Sequence, residues 1–465
     1  MVKRYPHLFR FLATMFLCLI TGSITVGCAS SIPERTMSLV WRTALPGDAN
    51  LLYPRDTGEA DVLLTWNYLD GLCPMPHFSP SGQKTGEIDW ALLPRSRKNQ
   101  GYYGDCRTKT GWVAVDEDFT YDFTTDEDGG SGSSYLGLYS TVKMISPEGK
   151  TVWETPGLAG ISVFYADDSV VGCFGKDPSL LHGLAPEELE FGEGPAEVKR
   201  RYDNSETRVL ILDTSTGSIR GEFGVPSNAC PSTVIRNTLL STDDMVLSLE
   251  REAPPGVRGT VSRVVLTRVS DGRTIRSIDM RSVLPKKDVD EVYVSPTGSH
   301  LAVLGYDGSV SLVDLEGTVL WSKMPGGAGA GPSSATGVVA LAGPVVWSPD
   351  GSFLVASCWV SVPHSSVSLA VTIFDLKGGV RFSREGLSLL RGARTAPVVL
   401  ALESTGSSQD FLYVFDMNAG EPRVSRARIL ATERFAVSPS GEFVLVLRKT
   451  ETGAGPQIIM YRIGP

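Results

Sequence analysis

Val310-Ser-Leu-Val-Asp-Leu-Glu-Gly-Thr-Val-Leu-Trp321 holds the unit that sets the fold: an alternating apolar strand, a tight turn carrying glycine, and a second strand. Alternation with period two turns one face of each strand toward a core, and the glycine supplies the positive φ that the turn requires. The unit recurs at 142–153, 209–219, 264–275, 371–380 and 412–420, with its turn glycines at Gly149, Gly217, Gly272, Gly317, Gly378 and Gly420. A second element, Ser-Pro-X-Gly before an apolar strand, occurs at Ser295–Gly298, Ser348–Gly351 and Ser438–Gly441. Tyr165–Asp168 and Ser241–Asp244 read as eroded copies of it. Turn, strand and hairpin together make a four-stranded antiparallel unit, the blade of an all-β propeller.

Both chain ends bear on the count. Thr85-Gly86-Glu-Ile-Asp-Trp90 reads as one more hairpin copy upstream, and Tyr461-Arg-Ile-Gly464 as one more downstream that stops without its outer strand. That strand is found at the other end, where Ser38–Gly47 reads like Thr318–Gly326. An N-terminal strand donated to the last blade closes the ring and removes a free edge. One blade per hairpin gives eight; residues 48–110 repeat poorly, which leaves seven open. Residues 126–134, 175–207 and 325–336 read as insertions into this framework. Trp153 and Trp321 hold matching places after their turn glycines and are expected to pack between blades, whereas Trp66, Trp90 and Trp112 are either buried or part of a binding surface.

The first residues form a targeting segment. Lys3, Arg4 and Arg10 precede the apolar run Phe11–Ile20. Ten residues are too few to span a bilayer, which takes about 20, and fit the core of a signal peptide. Thr25-Val-Gly-Cys28 then resembles the lipobox of bacterial lipoproteins, with Thr25 where such motifs usually carry Leu. That resemblance implies a diacylglycerol on Cys28 and cleavage before it; ordinary secretion, with Cys28 merely near the cut, is the alternative. The expected organisation is a signal peptide over 1–27, a polar lipidated tether over 28–37 whose shortening leaves the fold unaffected, and the propeller over 38–465. Ala29 is not the Asp that often retains lipoproteins at the inner membrane. Lipid anchoring away from the cytoplasm is therefore expected, at the outer membrane if the host has one.

The hairpins, with Asp314-Leu-Glu-Gly-Thr-Val-Leu-Trp321 foremost, resemble the repeats of quinoprotein-like eight-bladed propellers, while the Ser-Pro-Asp-Gly turn is similar to those of WD-repeat propellers. The resemblance spans most of 38–465 and concerns the fold, which does not give function. Among lipid-anchored quinoprotein-like proteins one known role is as an accessory in outer-membrane protein assembly. Quinoprotein dehydrogenases hold a quinone and calcium and typically carry two adjacent cysteines; no Cys-Cys pair occurs in this sequence, so no cofactor is expected.

Little else signals chemistry. His77, His182, His300 and His364 show no metal-ligand spacing, and His77 is either a pocket residue or structural filler. The acidic stretch Asp116–Asp118, Asp122 and Asp126–Asp128 lacks the alternating carboxylates and twelfth-position Glu of a calcium loop, and reads as solvated. No metal is expected. Cys73 with Cys106, and Cys173 with Cys230, are the candidate disulfides, while Cys358 sits in an apolar run and reads as buried. Net charge falls from −9 to −12 once Lys3, Arg4 and Arg10 leave, which disfavours nucleic acid as a partner. The expectation is a monomeric, non-catalytic scaffold that holds a protein partner and attaches to the membrane through its lipid. The alternative is an extracytoplasmic enzyme or carbohydrate binder whose site converges from several blades. Binding residues concentrate on loops held by rigid scaffolds, which points to Glu187, Glu188, Glu190, Lys199, Arg200 and Arg201 in the longest insertion as partner contacts.

The lipobox reading makes a direct prediction. Cys28→Ser is expected to abolish metabolic labelling with fatty acid and to release the protein from membranes or leave its precursor uncut. Undiminished labelling of that variant would refute it.

Overall fold

The structure is a computed structural model. It describes residues 32–464 except 47–48, 65–73, 90–107, 109–110, 118–119, 125–132, 138–139, 147–149, 178–203, 236–242, 253–258, 326–338, 349, 362–367, 388, 394–395, 405–408, 418–421 and 449–454. The chain forms an eight-bladed β-propeller, which settles the choice between seven and eight.

β1 (Met37–Ala44) is the outer strand of the last blade. Blade 1 follows with β2 (Ala49–Pro54), β3 (Ala60–Leu64), β4 (Pro74–Phe78) and β5 (Lys84–Asp89). Blade 2 contributes β6 (Trp112–Glu117) and β9 (Ser140–Ile145), and a hairpin of β7 (Thr120–Thr124) with β8 (Ser133–Gly137) prolongs them. β10 (Thr151–Ala166) serves twice. Its first half is the outer strand of blade 2, and its second half the inner strand of blade 3, where it pairs with β11 (Val170–Lys176). β12 (Thr207–Asp213) and β13 (Ile219–Val225) complete that blade.

Blade 4 is β14 (Ala229–Ile235), β15 (Met245–Glu252), β16 (Thr260–Arg268) and β17 (Thr274–Asp279); the short helix α1 (Met280–Val283) leads out of it. Blade 5 is β18 (Val289–Val294), β19 (His300–Gly305), β20 (Val310–Asp314) and β21 (Val319–Lys323). Blade 6 runs through β22 (Val339–Trp347), β23 (Phe353–Ser361), β24 (Ser368–Asp375) and β25 (Val380–Leu387). β26 (Leu389–Gly392), β27 (Val398–Glu403), β28 (Gln409–Asp416) and β29 (Arg423–Leu430) make blade 7. β30 (Thr432–Val437), β31 (Phe443–Arg448) and β32 (Gln457–Ile463) make blade 8, with β1 as its fourth strand.

Burial follows position within each blade. Central strands such as β15, β20 and β31 are buried almost end to end, because blades pack on both of their faces, and they read as continuous apolar runs. Outer strands such as β17 and β21 keep most residues exposed. At several junctions an aromatic side chain on the outer strand of one blade is laid on the third-to-fourth-strand turn of the next, whereas between blades 4 and 5 Ile278 and Val283 meet the turn glycine Gly317. The expected inter-blade place of Trp153 and Trp321 holds. Trp153 Nε1 donates to Thr214 O at 2.8 Å, and Trp321 Nε1 donates to Leu376 O at 3.0 Å. Each ring rests on a turn glycine: a Cβ on Gly217 would lie 2.6 Å from Trp153, and one on Gly378 2.9 Å from Trp321. Phe223 covers Gly272 in the same way.

The ring closes as expected, with β1 antiparallel to β32 from Met37↔Ile463 to Ala44↔Gln457. A bulge between Leu39 and Trp41 turns the indole inward, where it is buried, stacks on Phe78 and donates from Nε1 to Gly58 O at 2.9 Å. Its core joins Leu445, Ile458 and Met460 of blade 8 to Leu52, Val62 and Phe78 of blade 1.

Two expectations are corrected. The blade 1 turn is Ser79-Pro-Ser-Gly82, whose Gly82 has φ +77° and lies under Trp41; Gly86 is inside β5, opposite His77. The segment read as a free tether over 28–37 is docked from Ile32 onward. Arg35 N donates to Arg426 O at 2.7 Å, Arg426 N donates to Pro33 O at 3.0 Å, and Ile32 packs on the core shared by blades 6 and 7. The open edge of β29 draws it in, because an outer strand otherwise leaves its amides and carbonyls unpaired.

Truncating Trp41 removes both packing and a buried hydrogen bond at the seam. Trp41→Ala is expected to cost about 3–5 kcal/mol, and Trp41→Phe, which loses chiefly the N–H bond, about 1–2 kcal/mol. Urea unfolding followed by far-ultraviolet circular dichroism measures both; equal costs would show that the indole N–H plays no part.

Candidate functional site

Strand order gives the propeller two unlike faces. One carries the first-to-second and third-to-fourth strand turns, among them 55–59, 79–83, 214–218, 269–273, 295–299, 315–318, 348–352, 376–379 and 438–442. Ser and Asp side chains hold several of these turns. Ser295, Ser348 and Ser438 are fully buried, and their hydroxyls accept from the amides of His300, Phe353 and Phe443 at 3.1, 2.9 and 3.1 Å. Asp213 accepts from the amides of Ser215 and Thr216, Asp314 from those of Glu316 and Thr318, and Asp375 from those of Lys377 and Gly379. The Ser215 hydroxyl and then the Arg220 guanidinium hold the Asp213 carboxyl well below the usual carboxylate range. These acids shape turns; they do not form a ligand cage.

The three insertions read from the sequence all leave from the opposite face. Residues 118–139, with the β7–β8 hairpin, join the second and third strands of blade 2, and 177–206 make the same connection in blade 3. Residues 324–338 join the outer strand of blade 5 to the inner strand of blade 6. On this loop face, beside the inner strands of blades 4 and 5, lies a polar group. Arg251 Nη2 donates to Glu291 Oε2 at 3.0 Å and Nη1 to Gly259 O at 2.9 Å, with Tyr306 OH on the same carbonyl at 3.5 Å. Close by, Lys287 Nζ donates to Ser309 and Ser322 hydroxyls at 2.8 and 2.6 Å. Nothing in the sequence marks this group, because its members come from four different connections and strands.

Glu187, Glu188, Glu190, Lys199, Arg200 and Arg201 lie outside the described residues, between Lys176 at the end of β11 and Thr207 at the start of β12. Cys28, Cys73 and Cys106 lie outside them as well, as do Trp66, Trp90, His182 and His364. Trp112 is buried, with its ring edge-on to Tyr53 at 4.5 Å. His77 sits directly across from Asp61, with Nδ1 2.6 Å from its carboxylate, and Arg55 Nη2 donates to the other oxygen at 2.9 Å. Asp61 is almost wholly buried, so both partners serve to offset its desolvation. The trio belongs to the turn end of blade 1, away from the loop face. Among the described residues, no three His, Cys, Asp or Glu side chains converge in the manner of a metal site.

A second polar cluster joins blades 6 and 7. Tyr413 is fully buried on β28 and donates to Glu403 Oε2 at 2.8 Å, while Arg384 of β25 donates to Glu403 Oε1 at 2.5 Å and stacks 4.6 Å over the Tyr413 ring. Burial, and then the Glu403 acceptor, push the phenol above its ordinary range. Alternation in Leu412-Tyr-Val-Phe-Asp416 marks Tyr413 as apolar core, which hides its hydroxyl chemistry.

The pairing of Cys173 with Cys230 is corrected: both are free thiols. Cys173 is buried in the blade 3 core, where Sγ meets Leu210 O at 3.7 Å; Cys230 is exposed on β14 of the next blade. Cys358 is buried, as its apolar run implied.

No family model and no curated protein matches the chain. Solved structures similar over most of it include BamB from Moraxella catarrhalis, at 10% identity over 92% of this chain and 100% of that one, with TM-score 0.39. Sqt1 from Chaetomium thermophilum, captured with the N-terminus of a ribosomal protein, is similar at 12% identity over 92% and 100%, with TM-score 0.47. Quinohemoprotein alcohol dehydrogenase from Comamonas testosteroni is similar at 10% identity over 92% and 77%, with TM-score 0.46. Likeness at this level concerns the propeller architecture alone.

Burial pushes the Cys173 thiol up to about 12 and that of Cys358 up to about 11, and partial burial also raises that of Cys230, so access decides reactivity: Cys173 and Cys358 are covered and Cys230 is exposed. Iodoacetamide at pH 8 is therefore expected to modify Cys230 in the folded protein and to reach Cys173 and Cys358 only in denaturant. Peptide mass mapping reads this; native-state modification of Cys173 as fast as Cys230 would contradict its buried place.

Proposed function

We propose that this chain is a lipid-anchored, extracytoplasmic, non-catalytic scaffold that holds a protein partner on its loop face. The observation that carries the reading is the segregation of the faces. Every insertion read from the sequence leaves from one side, while on the other side the described turns 295–299, 348–352, 376–379 and 438–442 are short and spend Ser and Asp side chains on holding their own backbone. Long loops inside a compact domain are usually either functional or disordered, and a rigid ring fixes where they start and end. The acidic group Glu187, Glu188 and Glu190 and the basic group Lys199, Arg200 and Arg201 give the longest of them both signs of charge for a polar interface. The non-catalytic part is supported by the histidines in view. His77 is held by the buried Asp61, and His300 Nδ1 lies 2.8 Å from the Ser299 hydroxyl in a turn. Anchoring rests on Cys28 and its flanks, and places the protein at the outer membrane of a two-membrane host.

Replacing 178–203 with a short Gly-Ser link leaves β11 and β12 intact, so folding is expected to survive. Partners recovered with the full chain from detergent-solubilised membranes should be lost, or their retention should fall at least tenfold. A control variant altered on the turn face, Ser218→Lys, should retain them. Recovery of the same partners at the same salt sensitivity from the loop variant would exclude this loop as the binding element.

A further inference from the structure

The docked N-terminal segment fixes where the chain leaves the ring. Pro33 and Arg35 pair with Arg426 on β29, Arg35 Nε donates to Gly464 O at 2.6 Å, and Gly464 N donates to Thr36 O at 3.2 Å. The chain before Ile32 therefore starts from the rim of blade 7. Cys28 is four positions earlier, and four residues span at most about 14 Å even when fully extended. A lipid on Cys28 accordingly holds that rim close to the bilayer surface, and the reach is too short for blades on the far side of the ring to take its place.

The same rim is distinct in charge. β29 reads Arg-Val-Ser-Arg-Ala-Arg-Ile-Leu, with three arginines and no acid. The other outer strands either mix signs, as β13 does with Arg220 and Glu222, or carry fewer basic residues, as β21 does with Lys323 alone. This stands against a chain whose net charge is −9. Arg423 and Arg428 are exposed. Glu34, supplied by the docked segment, lies 3.4 Å from Arg428 and 3.9 Å from Arg426 and offsets part of the stripe, while Arg423 is exposed at its other end, across from Asp416 of β28. Exposed Leu39 and Val40 on β1 have counterparts in Val319 and Leu320 of β21, so the repeat accounts for them and a membrane is not required.

We propose that the rim of blade 7, through Arg423 and Arg428, lies against an anionic bilayer surface, so that the propeller stands on its edge and the loop face opens sideways, clear of lipid. Short-range attraction is what such a stripe supplies: surface potentials fall off within about 8 Å at physiological salt, and anionic headgroups draw basic side chains held at that range. Anchor and arginines act at one place, which fixes an orientation that a long free tether would leave undefined. The proposal rests on the reading of Cys28 as lipidated.

The test uses the full acylated chain in vesicles of phosphatidylethanolamine and phosphatidylglycerol, three to one, in 0.15 M salt. In a background with Cys73, Cys106 and Cys230 changed to Ser, a fluorophore is placed by Ser425→Cys on blade 7, which keeps all three arginines of β29, or by Ile219→Cys on blade 3, four blades away. Quenching by nitroxide-headgroup lipid is expected to be at least threefold stronger at 425. Moving to neutral phosphatidylcholine should shrink that difference at least twofold. Equal quenching at the two positions in protein that carries fatty acid would overturn the orientation while leaving lipidation intact. An unchanged difference on neutral vesicles would overturn the role given to the arginines. Protein that incorporates no fatty acid and does not float with vesicles would remove both the anchor and this proposal.

Discussion

Trp41 is the contact on which the ring depends. It lies on β1, the strand that completes blade 8, and its indole rests on blade 1, so one side chain ties the last blade to the first. The strand pairing around it joins residues at opposite ends of the chain, Met37 to Ile463, and blade 1 adds to the seam directly where Ser440 N donates to Asp56 Oδ1 at 2.8 Å. Contacts of such sequence separation carry the loop-closure cost of the whole chain, and topologies built on them fold slowly. Until β1 docks, the core that Trp41, Leu445, Ile458 and Met460 share with Leu52 and Phe78 is open to water on one side.

The same device, repeated without long separation, explains why the two faces differ. Trp153, Phe223 and Trp321 press on turns at one end of the following blade, and those turns are also closed by Asp or Ser side chains that accept backbone amides. A turn held from both sides has a fixed length. Connections at the other end can lengthen at little cost, because closure entropy grows only slowly with length. Insertions therefore accumulate there.

Polar clusters inside the ring have structural duties. Asp61 with His77 and Arg55 closes the turn end of blade 1, and Glu403 with Tyr413 and Arg384 pins blade 6 to blade 7. In both, a carboxylate is matched by a cation and a second hydrogen bond, the arrangement that keeps the buried charge of Asp61 tolerable. The docked N-terminal segment plays a related part at the surface, giving β29 a partner for its open edge and setting the side from which any anchor must pull.

The amino-acid sequence by itself determined the blade and the closure of the ring, because both are written in local patterns. Alternation and turn glycines such as Gly217 and Gly317 specify hairpins over a dozen residues, and the match between Ser38–Gly47 and Thr318–Gly326 identifies β1 as a missing outer strand. Where the pattern is eroded the local signal misleads: Gly86 has the hairpin spacing, yet Gly82 makes the turn, because Ser79-Pro-Ser-Gly82 is the element that elsewhere joins first and second strands. Only the tertiary structure decided what depends on neighbours distant in the chain. It showed that Cys173 and Cys230 face different surroundings, that Ile32 to Arg35 lie on a strand almost four hundred residues away, and that Arg251, Glu291 and Tyr306 meet on the loop face. Periodicity fixes which side of a strand is buried; which strand lies beside it, and so which polar groups meet, is set by packing across the whole ring.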